Sequence, residues 1–341
     1  MGPLPPTADD RAIWDAWLSQ FRLPLLNTAA EAGIFEALGE RRYTTKKLAK
    51  KLKLDPRALA MVLAALAAEG YVERRLEQWQ ATAMARTFLH PKATGYWGHF
   101  FDRIDHNEHL RSRLKEALRT GKRPASGTDD RPAGWEAGTM SQEVAANIAS
   151  FMHAHSQSPA IGAARQPVFG EVRHLMDVGC GSGVYGIEIG RAHPNLRVTL
   201  MDLKEVAKEA RKYVMRAGMK DRVSARGVNM FEETWPRGPD AHFFSNVFHD
   251  WSAETCRDLA RRSFEALPSG GHIFLNEILM DDDYTGPWPA AAFSLMMLIG
   301  TLGQQYSAAE LRDILESAGF TDVQATQTGG GYYSLVSARK P

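Results

Sequence analysis

The stretch Met176-Asp177-Val178-Gly179-Cys180-Gly181-Ser182-Gly183 decides how this 341-residue chain is read. It closes an apolar run from His174 to Val178 and opens a helical pattern that reaches Ala192. Glycine takes positive φ without strain and has no side chain. Gly179, Gly181 and Gly183 therefore predict a tight strand-to-helix turn whose backbone approaches a ligand closely. Counted from Gly179, the first glycine after the strand, the spacing is GxGxG, because Val184 stands where GxGxxG needs its third glycine. A carboxylate at the strand's end, Asp177, works against an anion at the helix N-terminus and suits a cationic group.

Outward from this turn the chain alternates strand and helix. A strand from Arg197 to Met201 precedes a helix from Lys204 to Ala217, and further strands are expected at Val223 to Val228, His242 to Phe248 and His272 to Leu279. Such alternation predicts an α/β domain with a doubly wound, mainly parallel sheet. The tail differs. Asp322 to Gln327 and Tyr332 to Ala338 are joined only by Thr328-Gly329-Gly330-Gly331, so a hairpin forms and one late strand runs antiparallel.

Towards the N-terminus the texture is helical. Apolar residues crowd 10 to 40, where Pro24 is expected to break the pattern, and their number points to burial against a second copy of the chain. Residues 43 to 80 give a helix capped by Thr44 or Thr45, a turn at Leu54-Asp55-Pro56, a helix to Ala68, and two short strands, which together suggest a winged helix. A helical, aromatic stretch at 83 to 120, a Pro- and Gly-rich loop at 121 to 134 and a helix at about 139 to 157 follow. The expected division is a helical domain at 1–120, a linker with a pocket-bordering helix at 121–170, and a sheet domain at 171–341.

Composition excludes several classes. Lys plus Arg number 41 and Asp plus Glu 40, so the basic excess of a polyanion binder is missing and no nucleic-acid partner is expected. The basic run Lys46, Lys47, Lys50, Lys51, Lys53 favours a DNA-binding regulator at first sight. Yet the following helix, Ala58 to Ala68, carries no side chain able to read a base edge. Two cysteines, Cys180 and Cys256, give no disulfide framework and suit a reducing, cytoplasmic setting. No apolar run approaches about 18 residues, so no membrane partner is expected. The histidines have no metal-ligand spacing, and no metal is expected.

At the end of the second strand lies Asp202, beside Leu203, and an acid there holds the hydroxyls of a ribose. With the glycine turn and Asp177, this reads as a site for S-adenosylmethionine. The marker His249-Asp250-Trp251 after the fourth strand, Glu277 near the end of the fifth, and the run from Leu25 to Val72 carry a resemblance over nearly the whole length. The chain resembles the small-molecule O-methyltransferases that join a class I methyltransferase domain to an N-terminal winged-helix dimerisation domain.

The resemblance implies a homodimer, a small-molecule acceptor and several further site residues. Asn229 would accept from the adenine amino group through its amide oxygen, Met230 would pack on the adenine face, and Ser245 stands where relatives often have a lysine near the methionine end. Aromatic and methionine side chains give a flat, adaptable apolar slot, so the acceptor is expected to meet Phe100, Phe101, Phe151, Met152, Trp288, Phe293, Met296 and Met297, with Asp250 beside them, and the resemblance adds support for Met152. At the carboxyl ends of neighbouring strands, His249 has the pKa of a general base, and Glu277 would fix its tautomer and balance its charge. One departure stands out. Gln305 and Tyr306 occupy positions where the family often has an acid and an arginine, which keeps carbon or nitrogen methylation as the alternative.

Overall fold

A computed structural model describes residues 9–93, 96, 108–124, 135–329 and 331–341. The chain divides into two compact units: residues 12–129 with 279–307, and residues 1–11 with 130–278 and 308–341. This division differs from the expected one in two places. Residues 279–307 join the N-terminal unit, and residues 130–170 join the sheet.

In the N-terminal unit, α1 (Arg11–Leu18), a 3-10 turn (Ser19–Phe21), α2 (Arg22–Glu31) and α3 (Ile34–Glu40) lead into α4 (Thr45–Leu52) and α5 (Pro56–Ala68). The first break lies in the 3-10 turn and not at Pro24, which sits in the first turn of α2, where the missing N–H goes unused. Thr44 caps α4 by accepting from the Lys47 N–H, and Asp55 caps α5 by accepting from the Ala58 N–H at 2.8 Å. Helix α5 is buried nearly all round, with Leu59, Val62, Leu63 and Leu66 at 1% exposure or less. It is a core helix, and the lysines of the preceding helix are exposed. The antiparallel pair β1 (Val72–Arg75) and β2 (Gln78–Ala81) follows, then α6 (Ala83–Phe88) and α7 (Glu108–Thr120). The late helix α8 (Trp288–Gly300) is apolar on every face and packs on α5 and α7, which is why it belongs here. It also covers the first helix: Phe293 meets Trp14 at 6.1 Å and Trp17 at 5.8 Å between ring centroids. Much of the apolar surface of residues 10–40 that seemed to require a second copy is thus covered by the chain itself, with Trp14, Leu18, Phe21 and Leu25 all buried.

The sheet unit begins with a long helix, α9 (Gln142–Ala164), longer at its C-terminal end than expected, and Pro159 lies inside it. Strands and helices then alternate: β3 (His174–Val178), α10 (Val184–Ala192), β4 (Arg197–Asp202), α11 (Lys204–Arg216), β5 (Val223–Gly227), β6 (Ala241–Ser245), α12 (Ala253–Ala266), β7 (His272–Glu277), α13 (Ala308–Ser317), β8 (Thr321–Gln327) and β9 (Ser334–Arg339). The sheet order is β5-β4-β3-β6-β7-β9-β8, parallel except that β9 pairs antiparallel with both neighbours. Central strands β3, β6 and β7 are almost entirely buried, as parallel strands covered on both faces must be. The edge strand β8 is polar and exposed, which blunts pairing with other chains.

Helix α10 sits close to the sheet because Gly186 and Gly190 face it. A Cβ at Gly186 would meet Leu200 Cδ2 at 2.5 Å and Val198 Cγ1 at 2.9 Å. Gly186→Ala is therefore expected to destabilise the protein by about 1–3 kcal/mol through overpacking, read as a lowered midpoint in thermal or denaturant unfolding.

Candidate active site

The carboxyl ends of β3, β4, β5 and β6 open on a cavity of about 270 Å³ built from residues of the sheet unit. Its floor is the glycine turn, with φ of +71° at Gly179, +55° at Gly181 and +78° at Gly183. The glycines serve different ends. A Cβ at Gly183 would strike Leu200 Cδ1 at 2.4 Å, and one at Gly179 would strike Val247 Cγ2 at 2.7 Å. A Cβ at Gly181 would meet nothing nearer than Met152 Cβ at 4.0 Å, so Gly181 leaves the floor bare where a ligand rests.

Three carboxylates line the wall: Asp177, Asp202 and Asp250. No lysine or arginine joins them among the described lining residues. Asp177 accepts from the Gly186 N–H at 3.1 Å, and burial, opposed by that bond, pushes its pKa up to about 7. Asp202 accepts from the Gly181 N–H at 2.9 Å and the Leu203 N–H at 2.7 Å, and burial still raises it to about 6. Desolvated acids of this kind are short of positive charge.

Beyond β5, Asn229, Met230 and Phe231 line the cavity. The Asn229 amide oxygen accepts from the Phe231 N–H at 3.0 Å in a local Asx turn, which leaves its second lone pair for a further donor. A Cβ at Gly138 would lie 2.7 Å from Asn229 Nδ2, so only glycine lets the Trp135–Gly138 turn come this close. Ser245 ends β6 and lines the cavity. Its hydroxyl donates to the Asn276 carbonyl at 3.1 Å and accepts from Asn276 Nδ2 at 3.0 Å.

After β6 the chain passes through Asn246, with φ of +56°, into a 3-10 turn Phe248–Asp250 that carries His249. His249 is thus in a turn beyond the strand, whereas Glu277 is the last residue of β7. Both are buried, and His249 Nδ1 lies 2.7 Å from Glu277 Oε2. The other Glu277 oxygen accepts from the N–H groups of Val247 and Phe248, each at 3.2 Å. His249 Nε2 lies 3.8 Å from Oδ1 of Asp250, a residue of the cavity wall. Burial disfavours the charged imidazolium, but Glu277 and then Asp250 outweigh it, and the His249 pKa is raised above its ordinary value. Asp250 is pushed up to about 6 by burial, which His249 opposes. Buried His155 is driven down to about 4, by burial first and then by His249, so it is neutral.

The structure brings Met152, Asp177, Gly179, Gly181, Asp202, Leu203, Asn229, Met230, Ser245 and Asp250 to one cavity, with His249 beside Asp250 and Glu277 beside His249, whereas Gly183 is not among the lining residues and faces Leu200. Phe293 and Met297 lie on α8 of the N-terminal unit, as do Trp288 and Met296. Phe100 and Phe101 lie outside the described residues, and so does the side chain of Phe151. Gln305 is buried in the N-terminal unit, its N–H donating to Ser294 Oγ at 3.0 Å. Sequence reasoning missed Trp135, Ser156, Tyr185 and Trp251 as lining residues. Ser156 is one turn beyond Met152 on the same helix face, a spacing that could have found it. Tyr185 follows the glycine turn directly, but nothing local marks its direction.

Two family models match the chain. An O-methyltransferase dimerisation domain matches residues 18–91, and an O-methyltransferase domain matches residues 111–321. A 3-hydroxy-5-methyl-1-naphthoate 3-O-methyltransferase of Streptomyces sahachiroi is 32% identical over 303 residues, covering 89% of this chain and 87% of that enzyme. Among solved structures, an O-methyltransferase family 2 protein of Planctomyces limnophilus in complex with apigenin aligns with a TM-score of 0.85 at 24% identity, over 99% of this chain and 98% of that one. Human N-acetylserotonin methyltransferase in complex with S-adenosylmethionine aligns with a TM-score of 0.61 at 22% identity, over 100% and 99%. These two likenesses speak for the fold, while the family models and the Streptomyces enzyme carry the assignment: the chain belongs to the O-methyltransferase family, with the dimerisation domain of that family ahead of its methyltransferase domain.

Proposed function

We propose that the chain uses S-adenosylmethionine to methylate a hydroxyl of a small aromatic acceptor, with His249 as the general base. The observation that carries the cofactor is the cavity wall, which has three acids and no base among the described lining residues. A buried carboxylate with a raised pKa is stabilised by an incoming cation. Bound S-adenosylmethionine supplies a positively charged sulfonium methyl for in-line displacement. Asp202 keeps lone pairs beyond its two backbone donors for ribose hydroxyls, Asp177 faces the cationic amino group, and bare Gly181 leaves room for the chain between them.

The base reading rests on the ring's geometry. Glu277 on Nδ1 favours the tautomer with its proton there, so Nε2 is the basic nitrogen, and it lies on the side of Asp250 and the cavity wall. When Nε2 takes the acceptor's proton, the imidazolium is balanced by Glu277 and by Asp250. That supplies the second acid that position 305 lacks. The aromatic acceptor class is supported by the naphthoate named for the Streptomyces relative and the apigenin bound to the Planctomyces structure.

His249→Ala is expected to lower turnover by about 10²–10⁴-fold with cofactor affinity near wild type. Glu277→Gln is expected to cost at least about 10²-fold. Its amide oxygen would stay with the Val247 and Phe248 N–H groups while its NH2 faces Nδ1, forcing the proton onto Nε2. Near-full activity of His249→Ala on a phenol panel, followed by mass spectrometry, would sink the base assignment and bring carbon or nitrogen methylation forward.

The pH dependence follows from the raised pKa. The active ring is neutral, so the rate climbs as pH rises through the His249 pKa, and the limb lies above the ordinary imidazole value of about 6.5. Asp250→Asn removes a charge that favours the imidazolium, so the limb is expected to move to lower pH. A profile unmoved by this change would contradict the coupling.

We also infer a homodimer, supported by the matched dimerisation domain. Sedimentation at micromolar concentration should give about twice the 37.8 kDa chain mass. A stable monomer there would count against it.

A further inference from the structure

The residues around the cavity follow strand order across the sheet. Asn229 follows β5, Asp202 ends β4, the glycine turn follows β3, and Ser245 and Asn246 follow at the end of β6. A nucleoside with its ribose at Asp202 and its base towards Asn229 has its remaining arm directed to the β3–β6 side. There the wall holds Ser156, Tyr185, Ser245 and Asn246, a corner that is polar but uncharged.

Within that corner most hydrogen-bonding groups are committed to one another. Ser245 is held by Asn276, as described above. Asn246 accepts from the Tyr333 hydroxyl at 2.6 Å and donates to Ser245 Oγ at 3.4 Å. Ser156 Oγ lies 3.2 Å from His155 Nδ1. The exception is Tyr185. Its hydroxyl is buried beside Ser156, Ser245 and Asn246, with Glu277 farther behind, and none of these close neighbours meets it in hydrogen-bond geometry. The ring is fixed against Phe243, 5.4 Å between centroids. Burial pushes the phenol's pKa well up, so its proton stays on and the group is a donor. A buried donor without a partner carries a desolvation cost that an arriving acceptor removes.

We propose that the Tyr185 hydroxyl donates to the carboxylate of the cofactor's methionine arm, making Tyr185 a cofactor-binding residue in a corner that holds this anion by neutral donors. The assignment rests on the S-adenosylmethionine reading given above. Asp177 serves the ammonium of the same arm, so the two charges of the amino acid meet different walls. The hydroxyl acts as a hydrogen-bond donor only, and no proton is transferred.

The test compares two ligands by titration calorimetry. S-adenosylhomocysteine carries the amino-acid arm, and 5′-methylthioadenosine has the same nucleoside without it. Tyr185→Phe keeps the ring and its packing on Phe243. It is expected to weaken S-adenosylhomocysteine about 10–100-fold, the range for a hydrogen bond to a charged group, and to leave 5′-methylthioadenosine within about twofold. Unchanged affinity for S-adenosylhomocysteine, or an equal loss on both ligands, overturns the proposal. Because the hydroxyl has no partner in the protein, the variant's ligand-free melting temperature should match or exceed wild type. A marked drop would mean the hydroxyl already has a structural partner, which also overturns it. Failure of the wild-type protein to bind either ligand would remove the cofactor reading, and this proposal with it, whereas a failure confined to the variant comparison removes this proposal alone.

Discussion

A carboxylate taken out of water must be surrounded by donors, and Glu277 finds three: the His249 ring and the N–H groups of Val247 and Phe248. One side chain at the end of β7 therefore fixes the path of the chain after β6, the orientation of the imidazole and its tautomer. The left-handed Asn246 and the short 3-10 turn follow from the same clamp, because both amides must point at Oε1 while the ring turns to Oε2. Removal of either partner would leave a buried polar group unmatched, which is why this pair is expected to tolerate little change.

The remaining acids obey the same rule with weaker donors. Asp177 and Asp202 are each steadied by backbone N–H groups near the glycine turn, which orient them without neutralising them. Their raised pKa values record burial that no neighbouring cation offsets. The cavity is therefore complementary to a cation before one arrives, and cationic charge rather than shape alone separates a methyl donor from its neutral, demethylated product.

Much of this was legible because it is local. The glycine turn, the acid after the second strand, the strand–helix rhythm and the Gly-rich terminal hairpin each depend on neighbours in sequence, and each lies close to where it was expected. Less was legible where an outcome depends on a competitor. The Asn229 oxygen gives one of its two lone pairs to a backbone N–H two residues away, a local turn absent from the sequence reading. The first helices looked too apolar for one chain, but α8 arrives from far along the sequence, Phe293 against Trp14 and Trp17, to cover them. Tyr185 and Trp135 were missed because the direction of a side chain into a cavity is set by packing across elements, which periodicity does not encode.

The excursion of residues 279–307 into the N-terminal unit has a consequence for modularity. The backbone crosses between the two units near residues 11, 129, 278 and 307. Neither unit is a contiguous segment, and no single breakpoint separates them. A recombination that exchanged everything before residue 130 would leave α8 behind, facing a foreign α5 and α7. The helix that completes the N-terminal core is the next helix or strand after the strand that ends in Glu277. Exchange of one unit between relatives must therefore preserve the matching face of α8, so the two parts inherit their changes together rather than as interchangeable pieces.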